Sequence, residues 1–250
     1  MIFYFSATGN SRYLAQGIAD RIGDEVLDIS EEIGGDCSYH IGKGGRVGIV
    51  SPVYFYGVPT ILSDFIGKMT FDDEPEFFLV LDFGTFPGLA RDRFRKVMED
   101  NGHTIGRCFE VRMPENYVLM FEPPGREDIE TILDGSDEEM DRIADILRTG
   151  DVTDIITRNT FYRRMVSLLA YPFYRHGRGT RRFYADTSCM KCGRCVDLCP
   201  IGAIEMDGRM PRWKVSKCIR CCACINGCPH GAIQYGISTR GRGRYRNPRV

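Results

Sequence analysis

Nine of the eleven cysteines in this 250-residue chain fall between Cys189 and Cys228. Eight of the nine obey one rule written twice, C-x2-C-x2-C-x3-C-P. The first copy is Cys189, Cys192, Cys195, Cys199 and Pro200; the second is Cys218, Cys221, Cys224, Cys228 and Pro229. The copies stand 29 residues apart, and Gly202, Ala203 and Ile204 recur as Gly231, Ala232 and Ile233. Thiolates in such a run hold iron–sulfur clusters. Three cysteines within seven residues can wrap one face of a cubane, each meeting a different iron. The fourth, followed by proline, leaves the turn and reaches the other cluster. The spacing therefore predicts two [4Fe-4S] clusters, one on Cys189, Cys192, Cys195 and Cys228, the other on Cys218, Cys221, Cys224 and Cys199. Two structural zinc sites would also use four cysteines each, but zinc motifs pair two short C-x2-C knuckles across a longer loop. Cys222 stands where the first copy has Gly193, breaks the repeat and reads as a spare thiol. Cys37 and Cys108 stand alone and read as small buried hydrophobes.

A second constellation lies near the start. Ser6-Ala7-Thr8-Gly9-Asn10-Ser11 follows a short apolar run and opens a helical pattern. Hydroxyls at positions 6, 8 and 11, with Gly9 permitting a tight turn, make a cradle of backbone N–H groups at a helix N-terminus. Such a cradle suits a phosphate monoester. It lacks the lysine of a nucleoside-triphosphate loop and the glycine spacing of a dinucleotide loop. An ordinary helix cap explains one hydroxyl, not three.

The elements that must position these residues follow from periodicity. Ile2–Phe5, Glu25–Ile29, Arg46–Val50, Glu76–Asp82 and Thr104–Val111 read as strands. Asn10–Ile22 reads as a helix, with Leu14, Ile18 and Ile22 four apart. Further helices are expected from Pro59 to about Met69, from Gly88 to Asp100, and over Glu127–Arg148. Strands alternating with helices imply a parallel sheet covered on both faces. Residues 151–186 read as a basic, aromatic connector with one helix ending near Pro172. The organisation is thus 1–150, a connector over 151–186, and 187–250.

Composition narrows the function classes. Hydrophobic residues are 43% and charged residues 27%, ordinary for a globular chain. No apolar run approaches the ~20 residues of a membrane span, and Met1 leads straight into Ile-Phe-Tyr-Phe with no leader pattern. A cytoplasmic protein is expected, where clustered cysteines mean metal or redox chemistry rather than disulfides. Residues 1–157 hold 30 Asp and Glu against 14 Lys and Arg, a balance of −16; residues 158–250 hold 4 against 19, a balance of +15. Such a split favours mutual attraction of the two parts, or docking of an oppositely charged partner.

The cysteine repeat resembles the two-[4Fe-4S] bacterial ferredoxins over about residues 187–235, and departs from them in lying within a basic half, which should raise its potentials. The Ser6–Ser11 loop resembles the phosphate loop of flavodoxins, which holds FMN. That resemblance implies a doubly wound five-stranded sheet of order 2-1-3-4-5, with the flavin at the carboxyl ends of the strands. Its ring would then meet Pro52, Tyr54, Phe55, Tyr56 and Gly57 in one loop, and Gly84, Thr85, Phe86 and Gly88 in another. Gly57 would let a peptide approach the flavin N5. Together the halves resemble the flavodoxin–ferredoxin fusion proteins, including Arg244-Tyr245-Arg246-Asn247-Pro248. The family implies electron transfer between clusters, FMN and redox partner proteins. A flavin-dependent reductase of a small acceptor is the alternative, although His40, His103, His176 and His230 are isolated and no acid–base catalyst stands out. The basic connector and the arginines from Arg240 to Arg249 could also bind nucleic acid or a membrane surface. Packing between the halves and pairing with the acidic part explain them better.

Overall fold

A computed structural model describes residues 1–250. The elements run in chain order as β1 (Ile2–Tyr4), α1 (Asn10–Ile22), β2 (Val26–Asp28), α2 (Ile29–Glu32), β3 (Ser38–Tyr39), β4 (Arg46–Pro52), α3 (Thr60–Ile66), β5 (Thr70–Phe71), β6 (Glu76–Phe83), α4 (Ala90–Asp100), β7 (Ile105–Arg112) and α5 (Arg126–Thr149). Then come α6 (Phe161–His176), β8 (Phe183–Ala185), α7 (Arg194–Asp197), β9 (Ile204–Asp207), β10 (Met210–Trp213), α8 (Ala223–Asn226) and β11 (Ile233–Tyr235).

Five strands form one parallel sheet in the order β2-β1-β4-β6-β7. Counted among themselves, these strands are ordered 2-1-3-4-5, with the switch point between β1 and β4. The register sets Phe3 between Leu27 and Ile49, and Leu79 between Ile49 and Cys108. In β4 and β6 only the first residues, Arg46 and Glu76, escape full burial. Both strands therefore read as continuous apolar runs, as central parallel strands do. On one face Phe3, Ile49 and Leu79 pack with Phe65 and Phe94. On the other, Ile2, Val50 and Val80 pack with Leu14 and Ile18 of α1 and with Ile143 and Leu147 of α5. The first half is thus a flavodoxin-like doubly wound α/β sheet.

The second half is a small α+β unit. Strand β8 pairs antiparallel with β11, and β9 with β10. One short helix follows the second cysteine of each repeat. The duplication extends to the backbone. Lys191 and Arg220 take φ 59° and 53°, and Gly193 and Cys222 take 78° and 62°. Cys222 therefore occupies a left-handed position that glycine fills in the first copy.

One expectation needs correction. Helix α6 does not end near Pro172 but continues through it to His176, because Ser167 is buried against Gly88 and Arg93, and Tyr174 against Tyr54, Phe55 and Thr60, which hold the last turns in place. The stretch before α6 adds to the sheet. Ile155 N–H donates to Cys108 O at 3.1 Å and Glu110 N–H to Ile155 O at 2.8 Å, extending the sheet beyond β7. The halves also share cores. Ile219 packs into the sheet's core, and Val118 and Leu119, from the loop after β7, pack among Cys195, Cys218 and Ile225. No helix is long and apolar enough to cross a membrane.

Candidate functional site

The carboxyl ends of β1, β4, β6 and β7 bring four loops to one edge, and a cavity of about 290 Å³ opens there. Its walls are Asn10, Pro52–Tyr56, Asp82–Phe86, Pro114–Tyr117 with Met120 and Phe121, one face of α6 (Val166, Ala170, Tyr174), and Arg220 with Cys221. Of the residues expected from sequence, Asn10, Pro52, Tyr54, Phe55, Tyr56, Gly84, Thr85 and Phe86 line it. Ser6, Thr8, Gly9, Ser11, Gly57 and Gly88 do not. Sequence reading passed over the loop after β7, α6 and Arg220. The topology was the available signal for the loop, since β7 ends at the same edge as its neighbours.

The loop after β4 is a two-residue turn. Tyr54 and Gly57 exchange both backbone hydrogen bonds at 3.0 Å. Phe55 and Tyr56 both sit left-handed, at φ 50° and 63°. Such a turn favours Asn-Gly, and two aromatic residues there carry real strain. Ring contacts hold them. Phe55 stacks on Tyr174 at 5.7 Å and meets Tyr117 edge-on at 5.2 Å, while Tyr56 stacks on Phe86 at 4.6 Å. Arg93 ties the turn to α6, donating to Tyr56 O at 2.6 Å and to Ser167 O at 2.8 Å. Gly57 and Gly88 lie against α6. A Cβ on Gly57 would strike the Tyr171 ring, and one on Gly88 would strike Ser167. The Gly57 N–H is taken by Tyr54 O at 3.0 Å.

Around Ser6–Ser11 the N–H groups of Ala7, Thr8, Asn10, Ser11 and Arg12 meet no acceptor within the chain, while Gly9 N–H donates to Ser6 Oγ at 3.1 Å. Free N–H groups gathered at a helix start are the donors an anion needs. The hydroxyls divide. Ser6 and Thr8 act as acceptors, Thr8 from Asn116 Nδ2 at 2.7 Å, and keep their own protons to donate. Ser11 instead gives its proton to Asp82 Oδ2 at 2.5 Å. Ser11 is thus not the free phosphate donor expected. Asp82 is buried on the cavity wall. Burial pushes its carboxyl up to about 7, against the Ser11 hydrogen bond, and Glu115 adds to the rise.

The cysteines gather as two quartets. Cys189, Cys192, Cys195 and Cys228 line one small cavity with Lys191 and His230. Cys199, Cys218, Cys221 and Cys224 form the other group, with Cys199 and Cys218 near enough to push up the thiols of Cys221 and Cys224. No three His, Cys, Asp or Glu side chains converge on a point that one ion could fill. A cubane binds one thiolate at each iron, so its ligands ring the site rather than converge. The quartets differ in setting. Cys192 is exposed, with Met190 and His230 beside the same cavity. Cys218 is buried and Cys221 faces the large cavity. Beside it, Arg220 N–H donates to Cys218 Sγ at 3.4 Å, and its guanidinium to Tyr235 OH at 2.9 Å. The buried Arg220 Nε–H has no partner in the chain. Cys222 is buried, which pushes its thiol up, and its Sγ lies 3.7 Å from Arg220 O. Cys37 and Cys108 are buried in the sheet's core as expected.

Residues 182–229 match a family model described as a 4Fe-4S dicluster domain, so an iron–sulfur domain occupies this part of the chain. No curated protein matches the chain. Two solved structures overlay part of it. The azoreductase AzrA does so at 13% identity and TM-score 0.38, covering 57% of this chain and 98% of its own. An azoreductase from Bacillus anthracis str. Sterne does so at 12% identity and TM-score 0.36, covering 57% of this chain and 97% of its own.

Proposed function

We propose that this protein carries electrons between two [4Fe-4S] clusters and a bound FMN, and between these and external redox partner proteins. The observation that carries the reading is a shared wall. Cys221, from the second quartet, and Arg220 beside it line the same cavity as Asn10 and the loops after β4, β6 and β7. The unpartnered N–H groups of Ala7 to Arg12 fit the phosphate of FMN, and the aromatic walls fit a flat ring. FMN accepts one or two electrons and each cluster one, so adjoining sites convert single electrons to pairs.

The chain's own residues would order the path. Around exposed Cys192, the first quartet faces solvent and offers the entry for a partner. The second quartet lies inward and adjoins the cavity. Arg220 places a fixed positive charge between the second quartet and the cavity. The rings of Phe55, Tyr117 and Tyr174 exclude water. Asp82 holds a proton near neutral pH at the cavity wall.

Anaerobic purification with metal and flavin analysis tests the reading. About eight irons and one FMN per chain are expected, with the centres reducing in separate steps of a redox titration. Zinc with no flavin would end it. One observation favours a second reading, a flavin-dependent reductase of a small acceptor. The cavity is bordered by Met120 and Phe121, which are 55% and 45% exposed and leave it open beside the ring loops. Turnover that saturates with a small acceptor in the absence of any partner protein would select it.

A further inference from the structure

We propose that the segment Tyr245–Arg249 is a positioning buttress for the Ser6–Ser11 loop, so that binding of a phosphate monoester in the first half depends on residues that follow the cysteine repeat. The proposal rests on reading Ser6–Ser11 as a phosphate loop.

The buttress meets the loop at four points. Asn247 N–H donates to Thr8 O at 2.8 Å. Gly9 N–H, on the opposite side of the same peptide, donates to Ser6 Oγ at 3.1 Å, so that peptide plane is held at both ends. Tyr245 OH donates to Asn10 Oδ1 at 2.6 Å, and Asn247 Nδ2 donates to the same oxygen at 3.3 Å. Asn10 spends its own amide on Pro114 O at 3.0 Å. Gly9, at φ 104°, lies directly under the segment. A Cβ there would come within 2.7 Å of Val250 and 2.8 Å of Asn247. Asn10, Tyr245 and Asn247 are each 2% exposed. All these contacts fall on carbonyls and side chains, leaving the N–H groups of Ala7, Thr8, Asn10, Ser11 and Arg12 free.

The segment is anchored at both ends. Tyr245 N–H donates to Asn226 Oδ1 at 3.1 Å, and Asn226 closes α8 between Cys224 and Cys228. At the other end the Arg249 guanidinium meets Glu130, Asp134 and Asp137 of α5 at 2.9, 2.6 and 2.7 Å, and Tyr13 OH of α1 at 3.3 Å. These are the only carboxylate pairs that join the acidic half to the basic half. A glycine-containing loop left alone would lose backbone freedom on closing round an anion. A loop already held does not, and preorganisation of this kind raises affinity without a new ligand contact.

FMN and riboflavin, which share a ring and differ in the phosphate, provide the test. Binding of each is measured on the full-length, cluster-loaded protein as wild type, Asn247→Ala, Arg249→Glu and Arg249→Lys. Losing one buried hydrogen bond or the anchor should weaken FMN binding about tenfold. Riboflavin binding and iron content should hardly move, and Arg249→Lys should recover part of the loss. Equal losses for FMN and riboflavin would show a merely structural role and overturn the buttress. Unchanged FMN affinity in both Asn247→Ala and Arg249→Glu would overturn it while leaving the phosphate loop standing. If wild type binds FMN no better than riboflavin, the loop reading fails and the buttress with it.

Discussion

Asp82 accepts a hydrogen bond from the Ser11 hydroxyl, yet keeps its own carboxyl proton well above the usual range, because the cavity wall gives its charge little water. In an unfolded chain it would titrate near 3.9. The folded state therefore binds the proton more tightly between about pH 4 and about pH 7. The associated stability is full at the acid end and lost as pH rises through 7. Asp82→Asn keeps an acceptor for Ser11 and cannot ionise. It should raise Tm at pH 8 by several degrees more than at pH 4, and parallel Tm–pH curves for mutant and wild type would refute this. Removing the Arg220 charge with Arg220→Gln should lower the potentials of both the proposed flavin and the proposed inner cluster, by roughly 59 mV, a tenfold change in a one-electron equilibrium. Arg220→Lys should shift them less; a redox titration decides. The cysteine quartets were legible in the sequence because their chemistry is written in short-range spacing. Arg220 was not, since nothing around Cys218 and Cys221 says that the residue between them faces a cavity built by the other half. Ser11 misled for the same reason. Its hydroxyl type was plain, but its acceptor lies 71 residues away.

Helix α6 runs through a proline. Pro172 removes one helical N–H and crowds the preceding turn, a defect worth up to about 3 kcal/mol in a helix interior. Its side chain is exposed, so Pro172→Ala gives up no buried contact. The variant should be more stable by about 1 kcal/mol or more, read as a Tm rise of a few degrees; a lower Tm would show that the bend itself holds Tyr174 in place. The same proline explains why sequence placed the end of α6 too early. A propensity rule reads Pro as a stop, whereas the burial of Tyr174 two residues later decides the matter. Elements with strong local signals were placed well: α1 covers Asn10–Ile22 as expected, and β4 and β6 exceed the expected strands by only one or two residues. Helix α3 is shorter than expected. Gly67 and Lys68 turn back onto Ser63 and Phe65 after the helix, and Met69 bonds to Phe65 from outside it. The short strands of the second half carried no periodicity to read. They form because the two cysteine repeats pair their flanks.

The two halves share cores as well as contacts. Ile219 sits among the sheet's buried residues and Leu119 among those around the cysteines. Stripping iron with a chelator should therefore lower the unfolding temperature of the sheet as well, seen as loss of one cooperative transition by circular dichroism. Two independent transitions would argue against coupling. The charge split acts at this scale too. Arg249 is the only arginine of the basic half that meets carboxylates of the acidic half, so the other basic residues keep their charge for a partner. Electron exchange with a protein donor should slow as ionic strength rises, and a rate indifferent to salt would rule out electrostatic docking. The unequal settings of the two quartets have one more consequence. With Cys192 at the surface and no cysteine of the other quartet exposed, oxygen should reach the outer of the two proposed cubanes first. Brief aeration should bleach about half of the iron-dependent absorbance quickly and the remainder slowly, leaving a damaged chain whose pigment keeps its inner neighbour but has lost its gate to the outside.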